Sequence, residues 1–346
     1  MTQISNLRLP AEWESTGGIL LSWPHKDSDW SYMLDEVTKC FTNIVAEIIK
    51  EEIAIIVAPD ISLPQQHLSL LPQDNIRYVE MATDDTWARD FGPIVTESNG
   101  AMTINDFQFN GWGLKFRSCN DNLITHNLMR SGAFHNCQYN NLLGFTLEGG
   151  SIESDGKGLL LTTSECLLSP NRNGDLSQQD IEKFLATQLG ISKTLWLEFG
   201  YLAGDDTDSH IDTLVRICPN DTIAYVGCNN ETDEHYQELQ AMKQQLQQFT
   251  TIDNRPFNLV ELPWPDAIYD EDGERLPATY ANFLILKDTV LMPSYNQPSN
   301  DNKAMEQLAK AFPGYKITAV DCNALIKQHG SLHCVTMQLP AEIINI

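Results

Sequence analysis

Basic residues are scarce in this chain: 22 Lys and Arg stand against 47 Asp and Glu, a formal charge of −25 at pH 7. A surface this acidic lacks the basic face that a nucleic acid or an anionic membrane would require. It attracts small cations instead, and its plainest use is solubility. Long apolar runs are also missing. No segment approaches the roughly 18 residues needed to cross a bilayer, although a hydrophobic share of 42% supplies ample core. The eight cysteines are dispersed without a C-x-x-C pair, which fits reduced thiols and not a disulfide framework. The first ten residues carry no basic region leading into an apolar core, so the expectation is a cytosolic protein without a secretory signal. No Gly/Ser linker or low-complexity tract divides the chain, and the acidic windows 205–208 and 270–274 are short enough to be loops. A single domain over 1–346 is expected, with no signature of its oligomeric state.

What is present alternates between two periods. Residues 17–23 and 53–58 are short apolar runs of the kind that form buried strands. Between them Leu34, Val37, Phe41, Ile44, Val45, Ile48 and Ile49 recur at steps of three and four, the stripe of an amphipathic helix. Further helices are expected over about 177–189, 231–249 and 301–312, with start signals at Ser177 before Asp180 and at Asn300 before Asp301. The class is therefore mixed α/β.

Four stretches read as hairpins by their turn chemistry: 90–106, 148–163, 210–227 and 281–293. A polar residue heads each one, namely Asp90, Glu148, His210 with Asp212, and Asn282, and Cys334 heads a final apolar stretch. Heads recurring about every sixty residues imply repeated units around an axis, with the polar heads converging at one end. The competing reading is that hairpins with polar ends are ordinary in any α/β protein.

Three stretches offer chemistry. Cys334, in the strand-like run after Gly330-Ser331, is either a small buried hydrophobe or a nucleophile presented at a strand end. His210-Ile211-Asp212 would place an imidazole and a carboxylate on one strand face, for metal binding, acid–base work or plain polarity. Metal is the weakest of these, since neither an H-E-x-x-H pattern nor a cysteine-rich ligand set accompanies the pair. In Asp84-Asp85-Thr86-Trp87-Ala88-Arg89-Asp90, Asp90 and the Trp87 ring face are suited to holding a cation; alternatively the stretch is a turn in which Arg89 pairs with Asp84 or Asp85. Glu148-Gly149-Gly150 adds a carboxylate beside glycines that let another backbone approach.

In this order, Trp87-Ala88-Arg89-Asp90-x-Gly-Pro, Glu148-Gly149-Gly150-Ser151, the run Thr162 to Asn173, His210-x-Asp212 and the terminal Leu332-His333-Cys334 resemble the agmatine deiminases, a family that includes the bacterial-type peptidylarginine deiminases. The resemblance runs from Leu9 to Pro340. It implies a pentein fold, five ββαβ-like units around a pseudo-five-fold axis. It also implies hydrolysis of a cationic guanidinium small molecule, without metal or organic cofactor, through a covalent cysteine thiouronium. By the same resemblance Cys334 is the nucleophile, His210 the general acid and base, Asp90 and Asp212 the guanidinium carboxylates, Glu148 a further catalytic carboxylate, Trp87 a pocket wall and Asn282 a polar neighbour of the nucleophile. The chain departs from the family's common Gly-Gly-Gly-Asn before the final His-Cys, carrying His329-Gly330-Ser331-Leu332, and it has Glu153 where a His is common. Both departures bear on the far end of the substrate. The acidic charge points to agmatine, with Arg172 as the one cation to place, either at a substrate carboxylate or in a structural pair. Protein-arginine or free-arginine deimination, amidino transfer and non-catalytic polyamine binding are the alternatives.

Overall fold

A computed structural model describes residues 6–14, 17–205 and 209–345; residues 206–208 of the first acidic window lie outside it. Five small sheets follow one another along the chain. In each, an antiparallel hairpin leads through a helix to a third strand that runs parallel to the hairpin's second arm. Ile94–Ser98, Ala101–Gln108, the helix Ile124–Ser131 and Cys137–Thr146 make one such unit. Glu153–Ser154, Leu159–Thr163, the helix Gln178–Leu189 and Lys193–Leu197 make the next. Val215–Cys218, Thr222–Gly227, the helix Tyr236–Leu246 and Asn258–Pro263 follow, and then Leu284–Ile285, Thr289–Ser294, the helix Pro298–Ala311 and Lys316–Asp321.

The fifth unit uses both ends of the chain. Met337–Pro340 pairs antiparallel with Gly17–Ser22, which runs parallel to Ile53–Ala58 after the helix Leu34–Ile48. This pairing closes the series, and it explains why only four hairpins are continuous in sequence.

The central strand of each unit has both edges paired, and in four of the five it is buried at almost every position; the exception is Ala101–Gln108, which carries Thr103, Asn105, Asp106 and Gln108. Leu159–Thr163 is buried at every position. Turn chemistry fixes the hairpins: Asn99 and Gly100 both adopt left-handed φ, at 53° and 81°, as a two-residue type I′ connection requires.

Two helices differ from their sequence pattern. The helix expected over 231–249 spans only Tyr236–Leu246. Asn230 accepts from the Thr232 amide, and Asp233 accepts from the His235 amide; both side chains compete with the helix for its first donors. The helix expected from 301 begins at Pro298, whose fixed φ suits the first turn. Asp301 then accepts from the Gln297 amide inside that turn instead of starting the helix. At Ser177 the expected start holds, with a capping box to Asp180.

Candidate active site

The polar head of every unit arrives at one place. Cys334 is buried in the turn Leu332–Val335, ahead of the strand Met337–Pro340, and not within a strand as its alternating neighbours suggest. Asn282 builds that turn. Its Oδ1 accepts from the amides of His333 at 2.8 Å and Cys334 at 3.3 Å, and its Nδ2 donates to Cys334 Sγ at 3.2 Å. The Cys334 carbonyl accepts from the Arg89 amide at 3.1 Å, which ties the thiol to the short helix Ala88–Phe91 carrying Asp90.

His210 and Asp212 also come from a turn. Ile211–Thr213 is a 3-10 turn that follows His210, so the two side chains converge through its curvature and not through a shared strand face. His210 Nδ1 lies 3.6 Å from Asp90 Oδ1, and Nε2 lies 4.0 Å from Glu148 Oε2. Asp212 Oδ2 lies 4.0 Å from Cys334 Sγ. Gly150 lets these groups close up: a Cβ there would stand 2.6 Å from His210 Nδ1 and 2.9 Å from Asp90 Oδ1. Its amide donates to Asp90 Oδ1 at 3.1 Å.

Every group expected at the site is thus present, but some pair differently from the sequence reading. Arg89 binds Glu12 and Gln338, away from Asp84 and Asp85, because the helix Ala88–Phe91 turns it inward; Asp84 pairs with Arg117 instead. Arg172 is in a structural pair, with Nε 2.9 Å from both oxygens of the fully buried Glu148. Glu153 faces Arg216 beneath the site, at 2.5 Å, so that departure does not touch the pocket. His329 and Gly330 do line it, with Trp87, Asp90, Trp112 and Cys334.

Several functional neighbours escaped the sequence reading. Trp112 Nε1 donates to Asp90 Oδ2 at 3.1 Å; its Gly111-Trp112-Gly113 setting, with Trp112 itself at φ 54°, was the available signal. Cys166 Sγ lies 3.9 Å from Glu148 Oε2. His333, Glu12, Arg216 and Gln338 form a buried cluster behind the cysteine. Single polar residues inside apolar strands, Arg216 in Val215–Cys218 and Gln338 in Met337–Pro340, marked it.

Electrostatics favour a cation in this pocket. Burial, then Asp212 and Asp90, push the Cys334 thiol well above its usual pKa. Burial alone would raise Asp212, but its hydrogen bond to His333 and the surrounding positive groups leave it below the usual carboxylate range. Asp212 Oδ1 is buried and has no hydrogen-bond partner, which is costly unless a bound donor fills the gap. Asp85, also on the pocket wall, is raised to about 7 by burial and by Asp29. Two groups of donors, Glu148 with Cys166 and His210, and Glu12 with Glu153 and His333, lie close enough to hold a metal ion. In each an arginine occupies a carboxylate: Arg172 on Glu148, and Arg216 on Glu12 and Glu153.

The ring of five ββαβ units and its cysteine-centred pocket define a pentein-fold enzyme of the guanidine-group hydrolase class. Residues 8–340 match the model of the Porphyromonas-type peptidyl-arginine deiminase family, and the chain belongs to that family. A curated relative from Marinomonas sp. (strain MWYL1), named "Putative agmatine deiminase", is 32% identical over 98% of this chain and 96% of its own length. A crystal structure from Porphyromonas gingivalis, described as a "Putative Arginine Deiminase", superposes with TM-score 0.92 at 45% identity, covering 98% of this chain and 100% of that one. The agmatine deiminase of C. jejuni with substrate bound superposes with TM-score 0.89 at 37% identity, covering 96% of each.

Proposed function

We infer that the chain, as one catalytic domain over 1–346, hydrolyses the guanidinium group of agmatine to N-carbamoylputrescine and ammonia. The observation that carries this reading is the unpartnered Oδ1 of Asp212, a buried carboxylate whose other oxygen lies 4.0 Å from Cys334 Sγ. A guanidinium supplies the planar, charge-bearing donors that this oxygen lacks. Asp29, Asp85 and Asp90 line the pocket, and no Lys or Arg does so among the described residues. That wall suits a substrate ending in an ammonium and repels one ending in a carboxylate. The relatives named agmatine deiminase support the same choice.

Cys334 is the nucleophile in this mechanism. The bound cation offsets the two carboxylates that otherwise hold its proton, so the proton leaves to solvent and the thiolate forms as substrate arrives. The thiolate attacks the guanidinium carbon, forming a C–S bond and a tetrahedral adduct. His210 protonates one nitrogen, the C–N bond breaks, and ammonia leaves. The thiouronium remaining on Cys334 is attacked by water, whose proton His210 accepts. Collapse of the second adduct breaks the C–S bond, releases the remaining hydroxyl proton to solvent and returns the thiolate with the ureido product. Asp90 and Asp212 fix the planar group, Glu148 sets the charge around His210, Trp87 walls the pocket, and Asn282 steadies the sulfur.

Ammonia release from agmatine, free arginine and an arginine peptide, with Cys334→Ala as control, tests this reading. Agmatine should exceed the other two in kcat/KM by about 100-fold, roughly the 2.7 kcal/mol that one misplaced buried charge commands. The variant should lose about a thousandfold or more in turnover. Preference for the peptide or for free arginine would refute the substrate assignment.

A further inference from the structure

His333 is wholly buried and takes no part in lining the pocket. Its Nδ1 lies 2.6 Å from Asp212 Oδ2, and its Nε2 lies 3.0 Å from Arg216 Nη2 and 2.8 Å from Glu12 Oε1. The imidazole sits between two carboxylates, Asp212 at Nδ1 and Glu12 at Nε2, with the Arg216 guanidinium bridging Nε2 and Glu12. With the proton on Nδ1 it donates to Asp212, the Nε2 lone pair accepts from Arg216, and the guanidinium charge offsets the approach of Glu12. Burial, then Arg216 and Arg89, push the ring's pKa down, in keeping with a neutral imidazole. Glu12 does not need the imidazole proton, because it accepts from Arg89 Nη1 at 2.9 Å, from Gln338 Nε2 at 3.1 Å and from Arg216.

Arg216 cannot swing away to release Nε2. Its Nε donates to Glu153 at 2.5 Å, its Nη1 to the Phe283 carbonyl at 2.5 Å, and its guanidinium lies 4.4 Å from the Phe283 ring centroid. The anchored guanidinium therefore favours the Nδ1–H tautomer of His333 from behind. In front, Asp212 Oδ2 is committed to Nδ1–H and lies 4.0 Å from the sulfur, while Oδ1 is left open.

We propose that His333 is a positioning residue for guanidine hydrolysis, a neutral Nδ1–H donor held by Arg216 that keeps Asp212 ionised and fixes its carboxylate beside Cys334. This rests on the proposed reading of the pocket as a guanidinium site. The positioning acts through Asp212, since His333 itself does not reach the reacting atoms. A purely structural histidine would only fill the space between units, and its loss would lower stability without moving any titration.

Two amide replacements separate these roles. His333→Asn places an N–H where Nδ1 stands, whereas His333→Gln places one nearer Nε2. The acid limb of kcat/KM for agmatine should stay near its wild-type position in His333→Asn. In His333→Gln it should move up by about one pH unit, with KM rising tenfold or more and kcat changing less. A carboxyl ¹³C titration of aspartate-labelled protein, with Asp212→Asn to assign the signal, follows the Asp212 proton without any turnover. It should place Asp212 lower in wild type and His333→Asn than in His333→Gln. If wild type fails to hydrolyse agmatine, the substrate assignment falls, and the carboxyl titration still decides the role of His333. Equal Asp212 titrations in the two variants, or an unmoved acid limb in a folded His333→Gln enzyme, would overturn the proposal.

Discussion

Burying Cys334 beside Asp212 and Asp90 raises its pKa well above the ordinary thiol value, so the resting enzyme holds a thiol and not a thiolate. Stability does not enter this point; reactivity does. Iodoacetamide, which is neutral and leaves both carboxylates uncompensated, should alkylate Cys334 slowly at pH 7, and the rate should keep climbing beyond pH 9. Agmatine turnover should reach its plateau at lower pH, because the substrate brings the compensating charge. Peptide mapping is needed to separate Cys334 from the exposed Cys119. Alkylation and turnover sharing one midpoint near neutrality would contradict substrate-assisted ionisation. At this scale the sequence was informative wherever a residue meets substrate chemistry directly: Cys334, Asp90, His210 and Asp212 all stood in motifs. His333 stood in a motif too, yet its role depends on partners 121 and 321 positions away, which no local pattern displays.

Turns, more than strands, place the reactive groups. Both Cys334 and the His210–Asp212 pair sit in tight turns at the heads of hairpins, where side chains leave the strand alternation that the sequence pattern suggests. Hairpins were legible because type I′ chemistry such as Asn99-Gly100 is local. The turn bearing Cys334 was not, because Asn282 of a neighbouring unit folds it. The approach to it, 327–330, also depends on tertiary partners: His329 takes φ 67° and its Nδ1 lies 2.7 Å from the Gly204 carbonyl. Gly330 packs against the benzo ring of Trp87, and a Cβ there would fall 2.1 Å from it. Gly330→Ala should therefore leave the fold intact, push the indole into the pocket, and raise KM for agmatine about tenfold or more with a smaller change in kcat. Steady-state kinetics on the folded variant checks this; unchanged KM would mean that the turn yields without disturbing the pocket.

Ring closure depends on seams between units, and one seam titrates. Glu52, in the turn between the helix Leu34–Ile48 and the strand Ile53–Ala58, accepts from the Lys287 amide at 2.8 Å and the Gly17 amide at 3.3 Å. Burial raises it to about 7. Its folded pKa thus lies above the unfolded value of 4.5, so the native state binds the proton more tightly and this term weakens stability as pH rises from about 4.5 to about 7. Glu52→Gln should flatten the fall in Tm between pH 5 and pH 8 by about 2–5 °C relative to wild type, on the order of 1–3 kcal/mol. Parallel Tm curves for the two proteins would remove Glu52 from this role. At this scale the sequence displayed the repeat but not its closure. The fifth hairpin joins Met337–Pro340 to Gly17–Ser22, and a pairing between the two ends of a chain leaves no turn signature to read.

The central claim is a covalent bond between Cys334 and the guanidinium carbon. Rapid acid quench of the enzyme turning over agmatine, followed by mass spectrometry of the digested protein, measures it directly. The account predicts a transient adduct on the Cys334 peptide with the mass of agmatine less one ammonia, absent in Cys334→Ala. Turnover of agmatine with no such adduct, or with the label on another residue, would contradict it.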